Sequence, residues 1–148
     1  MQIRTATLKD KSEWCRMRNI LWTDSSSKHL EEIERYFSKD KTNNEQVFVL
    51  DRSNNKLGGF LELGVRNYAE GSKANEVPYV EGWYIDSDLR SCGYGKQLIY
   101  TAEKWAKKNG FSELASDAEL NNSIGIAVHK ALGFKEAERL VCFIKKLT

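Results

Sequence analysis

The chain has 148 residues, 41% apolar and 30% charged, with one proline and a net charge of +2 from 23 basic and 21 acidic side chains. That length fits one domain, residues 1–148, burying roughly two-thirds of the surface its unfolded chain exposes. Balanced charge without a dense Lys/Arg stripe argues against nucleic acid as a partner, and no apolar run approaches the ~20 residues of a membrane span. The three cysteines, Cys15, Cys92 and Cys142, form no CxxC pair. The amino-terminal residues have no apolar signal core, so free thiols in a cytoplasmic protein are expected.

Ile3, Thr5 and Thr7 alternate as a first strand, and Thr7 to Asp10 reads as a helix start, with the Thr7 hydroxyl available to the N3 amide and Asp10 in the first turn. Trp14, Met17 and Leu21 supply the buried stripe of that helix. Ser25, Ser26 and Ser27 break the chain and cap a second helix, whose expected stripe is Leu30, Ile33 and Phe37; Asp40 to Glu45 is polar loop. Gln46 to Leu50 and Leu57 to Val65 read as a hairpin joined by Asp51 to Lys56. Arg66 to Pro78 is a long polar loop holding Tyr68, Glu70 and Gly71, and Val80 to Ile85 is a strand expected to be central.

Next comes Arg90-Ser91-Cys92-Gly93-Tyr94-Gly95, followed by a helix with Leu98, Ile99, Ala102 and Trp105 inward and Lys104, Lys107 and Lys108 outward. A strand, a glycine-bearing turn and a helix expose unpaired backbone N–H groups at the helix N-terminus, a ready receptor for anionic oxygens. Gly93 and Gly95 admit close approach, and Arg90 adds a fixed positive charge. Phe111 to Ser116 is expected as a fifth strand. A helix from Ser123 buries Ile124, Ala127, Val128, Ala131 and Leu132 up to Gly133, and Phe134 with Leu140 to Ile144 supplies the last strand or strands. The order β-α-α-β-β-β-α-β-α-β describes an α/β domain with a mixed central sheet flanked by helices.

Arg-x-x-Gly-x-Gly at residues 90–95 resembles the pyrophosphate loop of the GCN5-related N-acetyltransferases (the GNAT superfamily). Asn122 to Phe134, ending in Leu-Gly-Phe, resembles that superfamily's second motif, and the element order is similar over nearly the whole chain. Leu21-Trp22, Tyr68, Val80-Glu81-Gly82, Ala115-Ser116-Asp117 and Gly133 to Arg139 are similar to one branch, the aminoglycoside 6'-N-acetyltransferases. The resemblance implies acetyl-CoA as cosubstrate. It implies contacts to it from Trp83, Tyr84, Ile85, Arg90, Ser91, Cys92, Gly93, Tyr94, Gly95, Lys96 and Asn122. It also implies an aminosugar held by Trp22, Tyr68, Glu81, Asp117 and Glu138. Because an alkyl amine is protonated at neutral pH, either Glu81 or Asp117, directly or through water, also accepts its proton, unless the reactive amine already has a lower pKa.

Each of these residues has a plainer reading. Glu81 inside a strand is costly to bury unless paired, so it is either a cation-binding carboxylate or half of a structural ion pair. Gly82 marks a bulge or a close backbone approach. Asp117 follows a strand's carboxyl end, where open α/β sheets bind ligands, or caps a turn. Glu138 is either a site residue or plain surface. Trp22 and Tyr68 either pack or stack on a cationic sugar. His129 stands where many members carry an acidic tyrosine, and is either a proton donor or a packed, hydrogen-bonded residue. Cys92 has no histidine near it in sequence and is not expected to act covalently.

Two other functions fit the same motifs: acetyl transfer to a peptide N-terminus, lysine or polyamine, or acyl-CoA sensing without turnover. A confined acidic cleft would separate them from an aminosugar enzyme. Arg139 to Ile144 is apolar on both faces and needs a cover. The resemblance implies a homodimer formed through C-terminal strands.

Overall fold

The computed structural model describes residues 1–38 and 45–148, without the side chains of residues 25 and 26. The polar loop expected from Asp40 therefore lies outside the described residues up to Glu45, as does the capping role of Ser25 and Ser26. The elements are β1 (Gln2–Thr5), α1 (Lys11–Leu21), α2 (Ser26–Phe37), β2 (Gln46–Ser53), β3 (Lys56–Arg66), β4 (Val77–Ile85), α3 (Tyr94–Lys108) and α4 (Ser123–Ala131). Among the described residues no helix is long and apolar enough to cross a membrane.

The strands form one antiparallel ladder in the order β1-β2-β3-β4. The β2–β3 turn is tighter than expected: Ser53 pairs with Lys56, and Asn54 and Asn55 both have positive φ. Two such residues give a hairpin turn whose twist matches that of the strands. Helices cover both faces of the sheet. On one, Trp14, Met17 and Ile33 meet Val47, Val49, Phe60 and Tyr84; on the other, Leu98, Ile99 and Ala102 of α3 meet Phe48, Leu61, Leu63 and Val80. The alternation along β3 of Phe60 to one face, Leu61 and Leu63 to the other, explains why this strand reads as a continuous apolar run.

The α/β class and the flanking helices match expectation, while four further details differ. In α2 the buried stripe is His29, Ile33 and Tyr36, and Leu30 is exposed. The strand expected from Val80 begins at Val77, so the preceding loop is shorter. The expected fifth strand contributes one parallel bridge, Tyr79 to Ala115. There the Val80 N–H donates to the Ala115 carbonyl and the Ala115 N–H to the Pro78 carbonyl, both at 2.9 Å. That bridge makes the sheet mixed, and it leaves β4 at the margin of the regular ladder instead of its centre.

Fourth, no strand forms beyond Phe134 among the described residues, and α4 turns Ile124, Ala127, Val128 and Ala131 outward instead of burying them. A segment apolar on both faces needs neighbours on both sides, and the described part of the chain supplies none.

Candidate active site

The site begins with a slip in the β3–β4 register. Glu62 pairs with Gly82 and Leu63 with Val80, so Glu81 is the extra, unpaired residue. The bulge expected at Gly82 is thus centred one residue earlier. It resets the alternation, turning Val80 to the α3 face and Glu81 outward. Gly82 serves close approach instead: a Cβ there would stand 2.4 Å from the Trp22 ring, which lies directly on it.

Glu81 is not a lone carboxylate. Arg66, the last residue of β3, donates from Nε to Oε2 at 2.9 Å and from Nη2 to Oε1 at 2.5 Å, a two-bond clamp. The same guanidinium lies 3.5 Å from the centroid of the Tyr79 ring. Tyr79 in turn donates its hydroxyl hydrogen to Asp117 Oδ2 at 2.7 Å. Burial, then the bond and charge of Asp117, raise the Tyr79 phenol well above its usual range, so it stays protonated as a donor. The structure therefore joins the two carboxylates singled out in the sequence through one arginine and one tyrosine.

Other candidates sit around this chain of contacts. Asp117, Arg66 and Glu138 line one open cleft of about 1230 Å³ between the 66–79 region, the end of α3 and residues 111–142. Glu138 is exposed there. Tyr68 is 64% exposed on the loop after Arg66, and no described contact ties it to the carboxylates. His129 follows its packed reading. With Nδ1 donating to the Gly125 carbonyl at 2.7 Å, Nε2 accepts the Ser116 hydroxyl at 2.8 Å, and the ring meets Trp83 and Phe134.

Behind Trp22 lies a buried polar cluster that the sequence reading missed. Glu62 on β3 accepts from Trp14 Nε1 and Arg18 Nη1, each at 2.8 Å; Arg18 also bonds His29 and Glu32. His29 Nε2 lies 2.9 Å from the Trp22 carbonyl, and the Arg18 guanidinium is 4.9 Å from the Trp22 ring centroid. Burial pushes the Glu62 carboxyl up to about 7, against the pull of Arg18 and the indole N–H. A carboxylate inside an apolar run such as Leu61-Glu62-Leu63 was the available signal. Arg66 and Tyr79 had none, since their meeting depends on strand register.

The glycine turn is built as expected. Ser91 and Gly93 have φ of 63° and 86°, and Gly93 is the N-cap of α3. A Cβ at Gly93 would meet nothing within 4 Å, so the turn is open on that side. Residues 90–93 are exposed. The first N–H groups of a helix have no partner within it, and at the start of α3 they can receive the oxygens of a pyrophosphate. Arg90 Nε donates to the Ile85 carbonyl at 2.9 Å, which holds the cation beside the turn and occupies that carbonyl. Arg16 clamps Asp86 with bonds of 3.0 and 2.9 Å, fixing the entry to the turn against α1. Burial raises the Asp86 carboxyl, but Arg16 outweighs it and the net direction is down.

Beyond the bridge at Tyr79, among the described residues no strand pairs with the outer side of β4, so its backbone there is unpaired on that side. Gly95 rests on the Trp83 indole, with 3.2 Å from its would-be Cβ to the ring. Cys92 and Lys96 are exposed on the turn and on the first turn of α3. Asn122 Oδ1 caps α4 by accepting from the Gly125 N–H at 2.9 Å.

Residues 14–134 match the model of the Acetyltransferase (GNAT) family. The chain is 35% identical to an aminoglycoside N(6')-acetyltransferase type 1 of Klebsiella aerogenes, over 98% of this chain and 96% of that protein. It superposes on the apo crystal structure of aminoglycoside antibiotic 6'-N-acetyltransferase AAC(6')-IG from Acinetobacter haemolyticus with a TM-score of 0.88 and 34% identity, covering all of both chains. A structure of AAC(6')-Iy in complex with the bisubstrate analog CoA-S-monomethyl-acetylneamine gives a TM-score of 0.88 at 28% identity, over 99% of this chain and 98% of that one.

Proposed function

The chain belongs to the acetyltransferase (GNAT) family, and from that premise we propose that it is a cytoplasmic, single-domain enzyme that acetylates the 6'-amine of aminoglycosides and so confers resistance. The observation that carries the acceptor class is the pairing of Glu81 with a cation that also reaches Asp117 through Tyr79. A site that already holds a guanidinium on one carboxylate, with a second carboxylate one tyrosine away, suits a polycationic aminosugar.

Acetyl-CoA supplies the activated acyl group. Ser91 to Lys96 hold its pyrophosphate with Arg90 adjacent, backbone of Trp83 to Ile85 pairs with its amide arm, and Asn122 borders the arm from α4. Trp22, Tyr68, Glu81, Asp117 and Glu138 hold the acceptor. The acceptor nitrogen forms the amide bond as the C–S bond breaks, and the thiolate leaves to take a proton from solvent. An alkyl amine titrates near ~10.4, so only about one in a thousand is free base at neutral pH. Glu81 or Asp117, directly or through water, accepts the proton that the attacking nitrogen sheds.

The proposal includes a homodimer. Phe143, Ile144 and Leu147 are 93%, 96% and 87% exposed in the single chain, an apolar surface that a second copy would cover. Such a contact would bring Glu138 close to the other copy's cleft. Substitutions Glu81→Gln and Asp117→Asn test the site. Each should lower kcat/KM for an aminoglycoside by about 100-fold, the scale of a lost acid–base group, with acetyl-CoA affinity retained. Wild-type kinetics in both would remove the carboxylates from the reaction.

A further inference from the structure

Resting on that reading, we infer that Arg66 is a resident counter-ion of the acceptor site, displaced by incoming ammonium groups, and that it sets how many positive charges an acceptor must bring. Three contacts lead there. Both Arg66 bonds fall on Glu81, one to each oxygen, at 2.9 and 2.5 Å. The guanidinium lies on the Tyr79 ring at 3.5 Å. That ring's hydroxyl is bonded to Asp117. The bulge at Glu81 and the strand end at Arg66 bring these groups to one place. Arg66 thus stands where a bound ammonium would have to stand to meet Glu81.

An acceptor with one positive charge gains nearly nothing by exchanging cation for cation at Glu81, because it must break a two-bond clamp to make a single-charge contact. A polycation has Asp117 and Glu138 as further partners and is held through them even while the clamp stands, so the clamp costs it less than it costs an acceptor that relies on Glu81 alone. The Arg66 side chain is 44% exposed and Glu81 34%, so the guanidinium has solvent to swing into. Discrimination then comes from a built-in competitor that penalises weakly charged acceptors, in addition to the contacts that reward the right ones. The plainer role for the pair is to fasten the ends of β3 and β4, which an exposed ion pair does weakly.

Steady-state kinetics of wild type, Arg66→Gln and Arg66→Lys separates these roles, using a mono-amino sugar (methyl 6-amino-6-deoxyglucoside) and an aminoglycoside bearing a 6'-amine, with acetyl-CoA saturating. Arg66→Gln should lower KM for the mono-amino sugar by about 5-fold, the scale of a partly exposed ion pair, and change the aminoglycoside KM less. The selectivity ratio between the two therefore shrinks through KM and not kcat. Arg66→Lys, which cannot form the two parallel bonds, should move the ratio the same way by a smaller factor, and it carries the test if the Gln variant does not fold. A parallel rise of KM for both sugars, or an unchanged ratio in both variants, would overturn the inference. Calorimetric binding of the same two sugars, without acetyl-CoA, reads the same ratio independently of turnover. If wild type acetylates neither sugar, the function proposed above fails, and the binding ratio still decides the role of Arg66.

Discussion

Arg18 Nη1 stands 2.8 Å from Glu62 Oε1 in the interior between α1 and β3, yet burial holds the Glu62 carboxyl at about 7. The folded value lies above the 4.5 of a free glutamate, so the folded state binds this proton more tightly. The stability it adds is complete below the unfolded value and is lost as pH rises through about 7. Asp10, Glu13 and Asp86 shift downward and act oppositely, but only in the acid range as they protonate. From pH 5 to 8 wild type should therefore lose stability, on the order of 3 kcal/mol at most. Glu62→Gln should show a flatter curve in thermal melts over that window. Equal slopes for the two proteins would remove Glu62 as the titrating group.

The glycine turn gives a prediction about acetyl-CoA. Gly93 has a φ of 86° and open space beside it, so a side chain meets no neighbour but strains the backbone. Gly93→Ala isolates that strain, about 1–2 kcal/mol for a residue held in the left-handed region. Gly93→Asp adds a negative charge where phosphate belongs, and should weaken acetyl-CoA binding by about tenfold more than the Ala variant. Equal affinities in folded Ala and Asp variants, measured by calorimetry, would place the pyrophosphate elsewhere.

Much of this architecture was legible because local patterns decide it. The turn at residues 90–95 needs only a strand, two glycines and an amphipathic helix in order, and all are local. In α2 the apolar pattern pointed to Leu30, but His29 is drawn inward by Arg18 and the Trp22 carbonyl, and Tyr36 by the Val47 N–H. Buried polar partners on other elements leave no trace in apolar periodicity. The Arg66–Glu81 clamp was hidden for a related reason, since it depends on a one-residue bulge between strands joined by a ten-residue loop. The C-terminal segment was read as a strand with two apolar faces, but no strand forms there among the described residues, because the partner that would pair with it is not a local property.

That segment yields a prediction about assembly. Sedimentation equilibrium at micromolar concentration should give twice the chain mass of 17.0 kDa, and Phe143→Asp should return it to a single chain by placing a charge in the buried contact. A wild-type mass near that of one chain would refute the dimer. An unchanged mass in the variant would move the interface away from Phe143.

The most direct test of the central claim follows thiol release from acetyl-CoA across a panel of amines that includes matched aminoglycosides with and without the 6'-amine. The account predicts rapid release with the 6'-amino compounds, a single new amide at that nitrogen by mass spectrometry and NMR, and little release when a hydroxyl replaces the amine. Equal turnover of the matched pair, or turnover confined to peptides and simple polyamines, would contradict it.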